Sequence, residues 1–493
     1  MPITPVVLGV DSSTQSTKTA VVDAHSGRIL AVGRAPHAVR GEAGARESDP
    51  ESWWDALRAS VGAALTESGV APSAVAGIAV AGQQHGLVVL DAAGRPLRPA
   101  MLWNDTRSAP QAMALTEALG GPAAWLERTG SVPVASMTAT KWQWLREHEP
   151  ETADRAAAVR LPHDFLTERL SGAAATDPGD ASGTSWYSTR IRAYDRDLLD
   201  LIGLDAALLP TVAAGGAERV GSLTARAAEC LGLRPGIAVA AGTGDNMAAA
   251  VGLGLGAEGL LDHPVISLGT SGTVFASTRN RPATAALAGF AGADGTYLPL
   301  GCTLNCTLAV DKVADLLGLG REDAEPGGET VMLPYLDGER SPDLPHASGL
   351  LTGLRHATTP RQILGAAYEG AAFSLLRTLD DLHAVANLDP AGPAVRERPL
   401  RLIGGGARGR TWVETIRRLS GRPLVLPQAG ELVASGAAAL AAGAAWGDDP
   451  VRVATSWGAG RGAELPARVR DEAAWHRLEG VLAGASGLVR DVH

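Results

Sequence analysis

A strand–turn–strand pattern with a polar turn occurs twice in this chain, near its start and again just past its middle. Residues 6–10 read as a buried strand and 19–22 as its antiparallel partner, with a hydroxyl-rich turn over 11–18. Residues 265–268, the turn 269–272 and residues 273–276 repeat that order. Short apolar runs bounded by turn residues predict strands, and a repeated supersecondary unit predicts two related domains. Residues 29–35 supply a third strand. Asp49-Pro50-Glu51 then opens a helix that ends near Gly69, because Asp49 can accept from a free backbone N–H and Pro50 needs no donor in the first turn. Strands follow at 77–81 and 87–90, around the turn Gly82-Gln83-Gln84-His85-Gly86. In the second half, a strand at 400–403 leads through a glycine turn into a helix around 412–419, and the alanine-rich stretch 434–445 reads as a packed helix. The boundary falls near 245–260, giving domains 1–247 and 248–493, with the last helix a candidate to pack back on the first.

Size and charge narrow the function. A chain of 493 residues with 45% hydrophobic and 19% charged residues is expected to form more than one globular domain. A formal charge of -10 with no basic domain argues against a nucleic-acid partner. Three cysteines cannot build a disulfide framework; Cys302 and Cys306, four apart, could face one another on a helix, but without a second ligand pair they read as buried thiols rather than a metal site. The start of the chain lacks a charged region followed by an apolar core, and no apolar run reaches a membrane span, so a cytoplasmic protein with no membrane partner is expected.

The chemistry centres on Gly242-Thr243-Gly244-Asp245-Asn246, one carboxylate between flexible glycines. No Gly-x-x-x-x-Gly-Lys-Ser/Thr is present, and Met247 stands where a dinucleotide fingerprint needs its third glycine. Two readings of Asp245 are open from the residues alone. It is either a general base for a substrate hydroxyl or the cap of a following helix.

In order and spacing, the motifs resemble the FGGY carbohydrate kinases over nearly the whole chain. The phosphate motifs are matched by residues 9–18 and 267–272, the adenosine motif by 402–408, and the two signature regions by 141–145 and 349–354 with 366–370. The resemblance implies an α/β fold of two actin-like (ribonuclease H-like) domains around a central cleft. The first domain is expected to bind sugar and the second ATP, with Mg²⁺ as the accompanying ion. Within the family, residues 82–86, 98–107 and 333–342 are similar to those of the members that phosphorylate D-xylulose. Gln84 replaces the usual Met and Asp343 the frequent His.

What the resemblance implies for single residues stands beside a plainer reading of each. Asp245 becomes the catalytic base, with Asp11 organising Mg²⁺, directly or through water; the plainer reading of Asp11 is a turn-forming aspartate. Thr14, Lys18, Gly269, Thr270 and Gly272 become phosphate ligands, although Lys18 also reads as a solvated hairpin residue. Gln84, His85, Trp103, Asn104 and Asn246 join Asp245 as sugar ligands, although Trp103 also reads as core. Gly404, Gly405, Gly406 and Ala407 leave room for adenosine against the backbone. A homodimer is the assembly the family implies. The alternatives are an FGGY kinase for another ketose or polyol (ribulose, gluconate, glycerol) and a non-enzymatic actin-like ATP-binding protein.

Overall fold

The computed structural model describes residues 4–256, 263–342, 344, 346–428 and 430–485. Asp343, residues 1–3 and part of the expected boundary lie outside them. The chain divides into two compact units, one comprising Met1–Glu258, Gly289–Leu298 and Ala429–Gly460, the other Gly259–Ala288, Pro299–Gln428 and Arg461–His493.

The sheet of the first unit is built from β1 (Val6–Ser12), β2 (Ser16–Asp23), β3 (Ile29–Pro36), β4 (Val75–Gly82), β5 (Arg219–Ser222) and β6 (Ala238–Ala240) in the order β5-β6-β4-β1-β2-β3, and β7 (Thr243–Gly244) also pairs with β4. β1, β2 and β3 form an antiparallel meander, whereas β4 runs parallel to β1 and β6 and β7 run parallel to β4. Every residue of β1 is buried, which explains its unbroken apolar run rather than an alternating one. Residues 88–90 do form a strand, but it pairs with Ala158–Arg160 in a separate two-stranded sheet. Helix α1 (Pro50–Ser68) starts and stops as its sequence predicts. The Asp49 side chain accepts from Glu51 N, and Gly69 ends the helix at φ 63°.

Further helices of this unit are α2 (Pro162–Ser171), α3 (Pro178–Ala181), α4 (Asp245–Gly252) and the alanine-rich α5 (Leu432–Trp446). Small residues let α5 approach the backbones of its neighbours closely. A Cβ at Gly9 would sit 1.9 Å from Ala434 O, and one at Gly436 would sit 1.8 Å from Ala248 O. Gly9, a residue of the first phosphate motif, therefore has a packing duty as well. The final helix, Glu472–Gly484, belongs to the second unit; the part of the chain that returns to the first is the segment carrying α5.

The second unit repeats this topology. β8 (Val265–Leu268), β9 (Gly272–Phe275) and β10 (Tyr297–Thr303) are consecutive antiparallel neighbours. β11 (Leu400–Ile403) lies parallel to β8 and β12 (Leu424–Pro427) parallel to β11, with β13 (Gly462–Leu465) antiparallel at the edge. Three antiparallel strands followed by two parallel ones is the order seen in the first unit, so the repeat read from sequence is a repeat of fold. The architecture is mixed α/β with two actin-like domains.

The cysteines depart from expectation. Cys302 lies in β10 and Cys306 is buried at the start of the helix Thr307–Leu317, so they do not share a helix, and Cys230 is exposed. The chain turns between Cys302 and Cys306 because Glu339 accepts from Leu304 N at 2.6 Å and Asn305 Nδ2 donates to Gly338 O at 2.7 Å. No helix among the described residues is long and apolar enough to cross a membrane.

Candidate active site

In the first unit three parallel strands end side by side. Asp11 of β1 is level with Ala81 of β4, and Thr243 and Gly244 of β7 are level with Ala81 and Gly82. Residues leaving those ends converge, which brings Asp11, Gln83-Gln84-His85 and Asp245-Asn246 to one edge of the sheet. Carboxyl ends of parallel strands are where open α/β sheets place ligands.

Asp245 is the first residue of α4, after the cap position at Gly244. Its Oδ1 accepts from Asn246 N at 2.8 Å and from Asn246 Nδ2 at 3.2 Å. The same Nδ2 donates to Gln84 Oε1 at 2.8 Å, so Asn246 ties the carboxylate to the Gln84 turn. Burial, reinforced by the charges of Asp11 and Asp180, pushes Asp245 up to about 7. A carboxyl at that level can hold or release a proton near neutrality.

Several buried polar atoms at this edge find no partner among the described residues, namely both amide atoms of Gln83 and Nε2 of Gln84, with Oδ1 of Asn104 in the same state on the neighbouring loop. Buried polar atoms are ordinarily paired, so these mark a surface suited to a ligand with many hydroxyls. His85 stands at φ 66°, a left-handed conformation unusual for a non-glycine residue and costing about 1–3 kcal/mol. Its Nδ1 is 2.9 Å from Gly183 O, and because a carbonyl can only accept, Nδ1 carries the proton. The ring lies 5.6 Å from that of Phe290.

Asp11 is buried, and burial raises its carboxyl against the opposing pull of Ser13 and Lys18. Ser13 Oγ donates to its Oδ1 at 2.5 Å, and its Oδ2 lies 3.6 Å from Lys18 Nζ. Lys18 is not a solvated hairpin residue, because its ammonium also meets Glu431 at 2.7 Å. Trp103 does not pack in the core. It is 45% exposed, and its Nε1 donates to Thr14 Oγ1 at 3.0 Å, joining an expected sugar residue to an expected phosphate residue.

In the second unit the parallel pair β8 and β11 brings the turn of Gly269, Thr270 and Gly272 beside that of Gly404, Gly405, Gly406 and Ala407. Gly404 has φ 86°, and a Cβ there would lie 2.6 Å from Leu268 O, so both conformation and space demand glycine. Gly404, Gly405 and Thr270 are exposed, and Gly405 has nothing within 4 Å of a would-be Cβ. Thr307 fixes the first turn by donating through Oγ1 to Gly269 O at 2.8 Å.

Sequence reading missed His163, Asp164, Asp177 and Asp180, a fully buried group of ionisable side chains in the first unit. Asp177-Pro178 carries a local helix-start signal, but nothing local pairs these residues with one another.

Two actin-like domains that carry these motifs define a kinase of small hydroxylated molecules. The chain belongs to the FGGY family of carbohydrate kinases: the N-terminal domain of that family matches residues 6–252 and the C-terminal domain residues 265–445. It is 57% identical over 487 residues to a xylulose kinase of Streptomyces coelicolor, covering 98% of this chain and 97% of that one. A xylulose kinase of Streptomyces rubiginosus is 56% identical over 98% of this chain and 97% of its own. The crystal structure of xylulose kinase from Bifidobacterium adolescentis superimposes with a TM-score of 0.82 at 32% identity, covering 97% of this chain and 99% of that one. The chain is a sugar kinase, which sets aside the non-enzymatic actin-like alternative.

Proposed function

We propose that the protein transfers the γ-phosphoryl group of ATP to D-xylulose, giving D-xylulose 5-phosphate and ADP. The observation that carries the reading is the linked set Asp245, Asn246 and Gln84, with buried unpaired polar atoms around it. The choice of xylulose rests on the two Streptomyces relatives, similar over nearly their whole length. Gln83, Gln84, His85, Trp103, Asn104 and Asn246 hold the ketose. Asp245 accepts the proton of the terminal hydroxyl as its oxygen bonds to the γ-phosphorus, and the bond from that phosphorus to the bridging oxygen of ADP breaks. In the second unit Gly269, Thr270 and Gly272 offer donors to phosphate and Gly404–Ala407 leave room for adenosine; in the first unit Thr14 and Lys18 offer donors of their own.

Among the described residues no group of three or more His, Cys, Asp or Glu side chains could hold a metal. Mg²⁺ keeps several waters and takes one or two carboxylates beside phosphate oxygens. Asp11 would be the carboxylate that holds it, buried at the end of β1 with one oxygen held by Ser13 and the other paired with Lys18 at 3.6 Å. When bound, Mg²⁺ neutralises phosphate charge. Asp11→Asn is expected to weaken Mg-ATP binding and lower turnover by about 10-fold or more. Titration calorimetry with and without Mg²⁺ checks this, and unchanged affinity and turnover would remove Asp11 from the role.

The sugar assignment is tested by a coupled ADP assay across xylulose, ribulose, gluconate and glycerol. A kcat/KM highest for xylulose is expected. The unpaired amide Nε2 of Gln84, where the family usually has Met, favours a second reading in which another ketose or polyol is preferred, and that outcome would displace xylulose.

A further inference from the structure

The buried group of ionisable side chains that local sequence signals did not reveal lies directly behind the turn carrying Asp245. His163 and Asp164 sit at the start of α2, and Asp177 and Asp180 flank the start of α3. His163 Nδ1 is 2.7 Å from Asp180 Oδ2, and its Nε2 is 3.9 Å from Asp177 Oδ1. Asp177 is tied to the turn itself, because Thr243 Oγ1 donates to Asp177 Oδ2 at 2.7 Å. Both residues are fully buried, and Asp177 is held in turn by Gly179 N and Asp180 N, each at 3.0 Å.

The glycines on either side leave no room for a side chain. A Cβ at Gly179 would stand 2.7 Å from Asp177 Oδ2 and 2.9 Å from Thr243 Oγ1, and one at Gly242 would stand 2.3 Å from Val80 O and 3.2 Å from the His163 ring. Gly242 has φ 79°, so the backbone bends sharply immediately before Thr243. Two residues later comes Asp245. The course of the backbone into Asp245 is set by the bend at Gly242, by β7 pairing with β4 and by the side-chain anchor of Thr243 on Asp177, while Asn246 holds the carboxylate itself.

We propose that Thr243 and Asp177 are positioning residues for Asp245, their buried hydrogen bond fixing the turn from which that carboxylate meets the substrate hydroxyl. This rests on Asp245 being the base. A proton acceptor displaced by about 1 Å can lose roughly 10²-fold in rate while substrate binding is preserved. Thr243 is fully buried and its hydroxyl is spent on Asp177, so its effect belongs in kcat.

Steady-state kinetics of Thr243→Val, Thr243→Ala and Thr243→Ser with xylulose and ATP test the proposal. The first two lose the hydroxyl and are expected to lower kcat by about 10²-fold with KM for the sugar within about twofold. Thr243→Ser keeps the hydroxyl and is expected to restore kcat to within a few-fold of the native enzyme. Thr243→Ala guards against Val failing to fold, since it adds no bulk. A native kcat in Thr243→Ala overturns the proposal, and so does a Ser variant as slow as Ala, or an effect confined to KM. Asp245→Ala in the same series separates the two readings. If it keeps turnover, the base assignment fails; if it is inactive while Thr243→Ala is native-like, only the positioning role fails.

Discussion

Asp245→Ala is expected to lower kcat for sugar phosphorylation by about 10²–10⁴-fold, the range that a positioned general base contributes. Affinity for a nonhydrolysable ATP analogue, measured by titration calorimetry, should stay within about twofold, because the glycine turns read as nucleotide ligands belong to the second unit. Near-normal turnover would remove Asp245 from the role. The pH profile gives an independent check. Burial first, then the charges of Asp11 and Asp180, lift Asp245 to about 7, and the base acts only when deprotonated. Turnover should therefore fall as pH drops through about 7. The stability effect runs the other way. A folded-state carboxyl above the ordinary 3.8 makes the native state lose stability as pH rises from there through about 7. Asp245→Asn removes that penalty, so its Tm should exceed the native value at about pH 8 and converge with it below about pH 4. Such a variant, more stable and inactive, is the expected mark of a residue kept for function.

How much of this was legible in the sequence depended on the range of the signal. Asp49, Pro50 and Gly69 bound α1 through contacts within a few residues, and the structure places the helix ends where those residues put them. The two strand–turn–strand repeats were equally readable, because each strand lies next to its sequence neighbour. Residues whose partners are distant in the chain were not. Lys18 reads as solvated until Glu431 arrives beside it on the segment that carries α5. Trp103, whose apolar bulk also suited a core, stays exposed with its ring N–H on Thr14. His163, Asp177, Asp180 and Thr243 come from separate elements, and no periodicity or spacing links them. The turn holding Asp245 was legible as a glycine-flanked carboxylate, but what lies behind that turn was not.

His163→Leu should destabilise the protein by about 3–5 kcal/mol at neutral pH, the cost of removing one partner from a buried charged group. Burial opposes protonation of His163, but Asp164, Asp180 and Asp177 outweigh it and push the imidazole up to about 9. Burial lifts Asp164 and Asp177 to about 6 even with His163 pulling them down. Leucine has similar bulk and no charge, so the variant leaves three carboxylates in an enclosed site with no cation among them. They then ionise in the folded state only at great cost, or stay protonated at a neutral pH where the unfolded chain has released those protons. Either way, the stability gap between native and variant should widen as pH rises from about 5 to 7. The native protein has its own limit at the alkaline end. A histidine raised above its ordinary 6.5 contributes stability that is complete below that value and is lost as pH rises through about 9. Urea unfolding of both proteins at several pH values reads both trends. A loss below about 1 kcal/mol, or a gap that does not change with pH, would mean that the histidine is neutral and the group is held by hydrogen bonds alone.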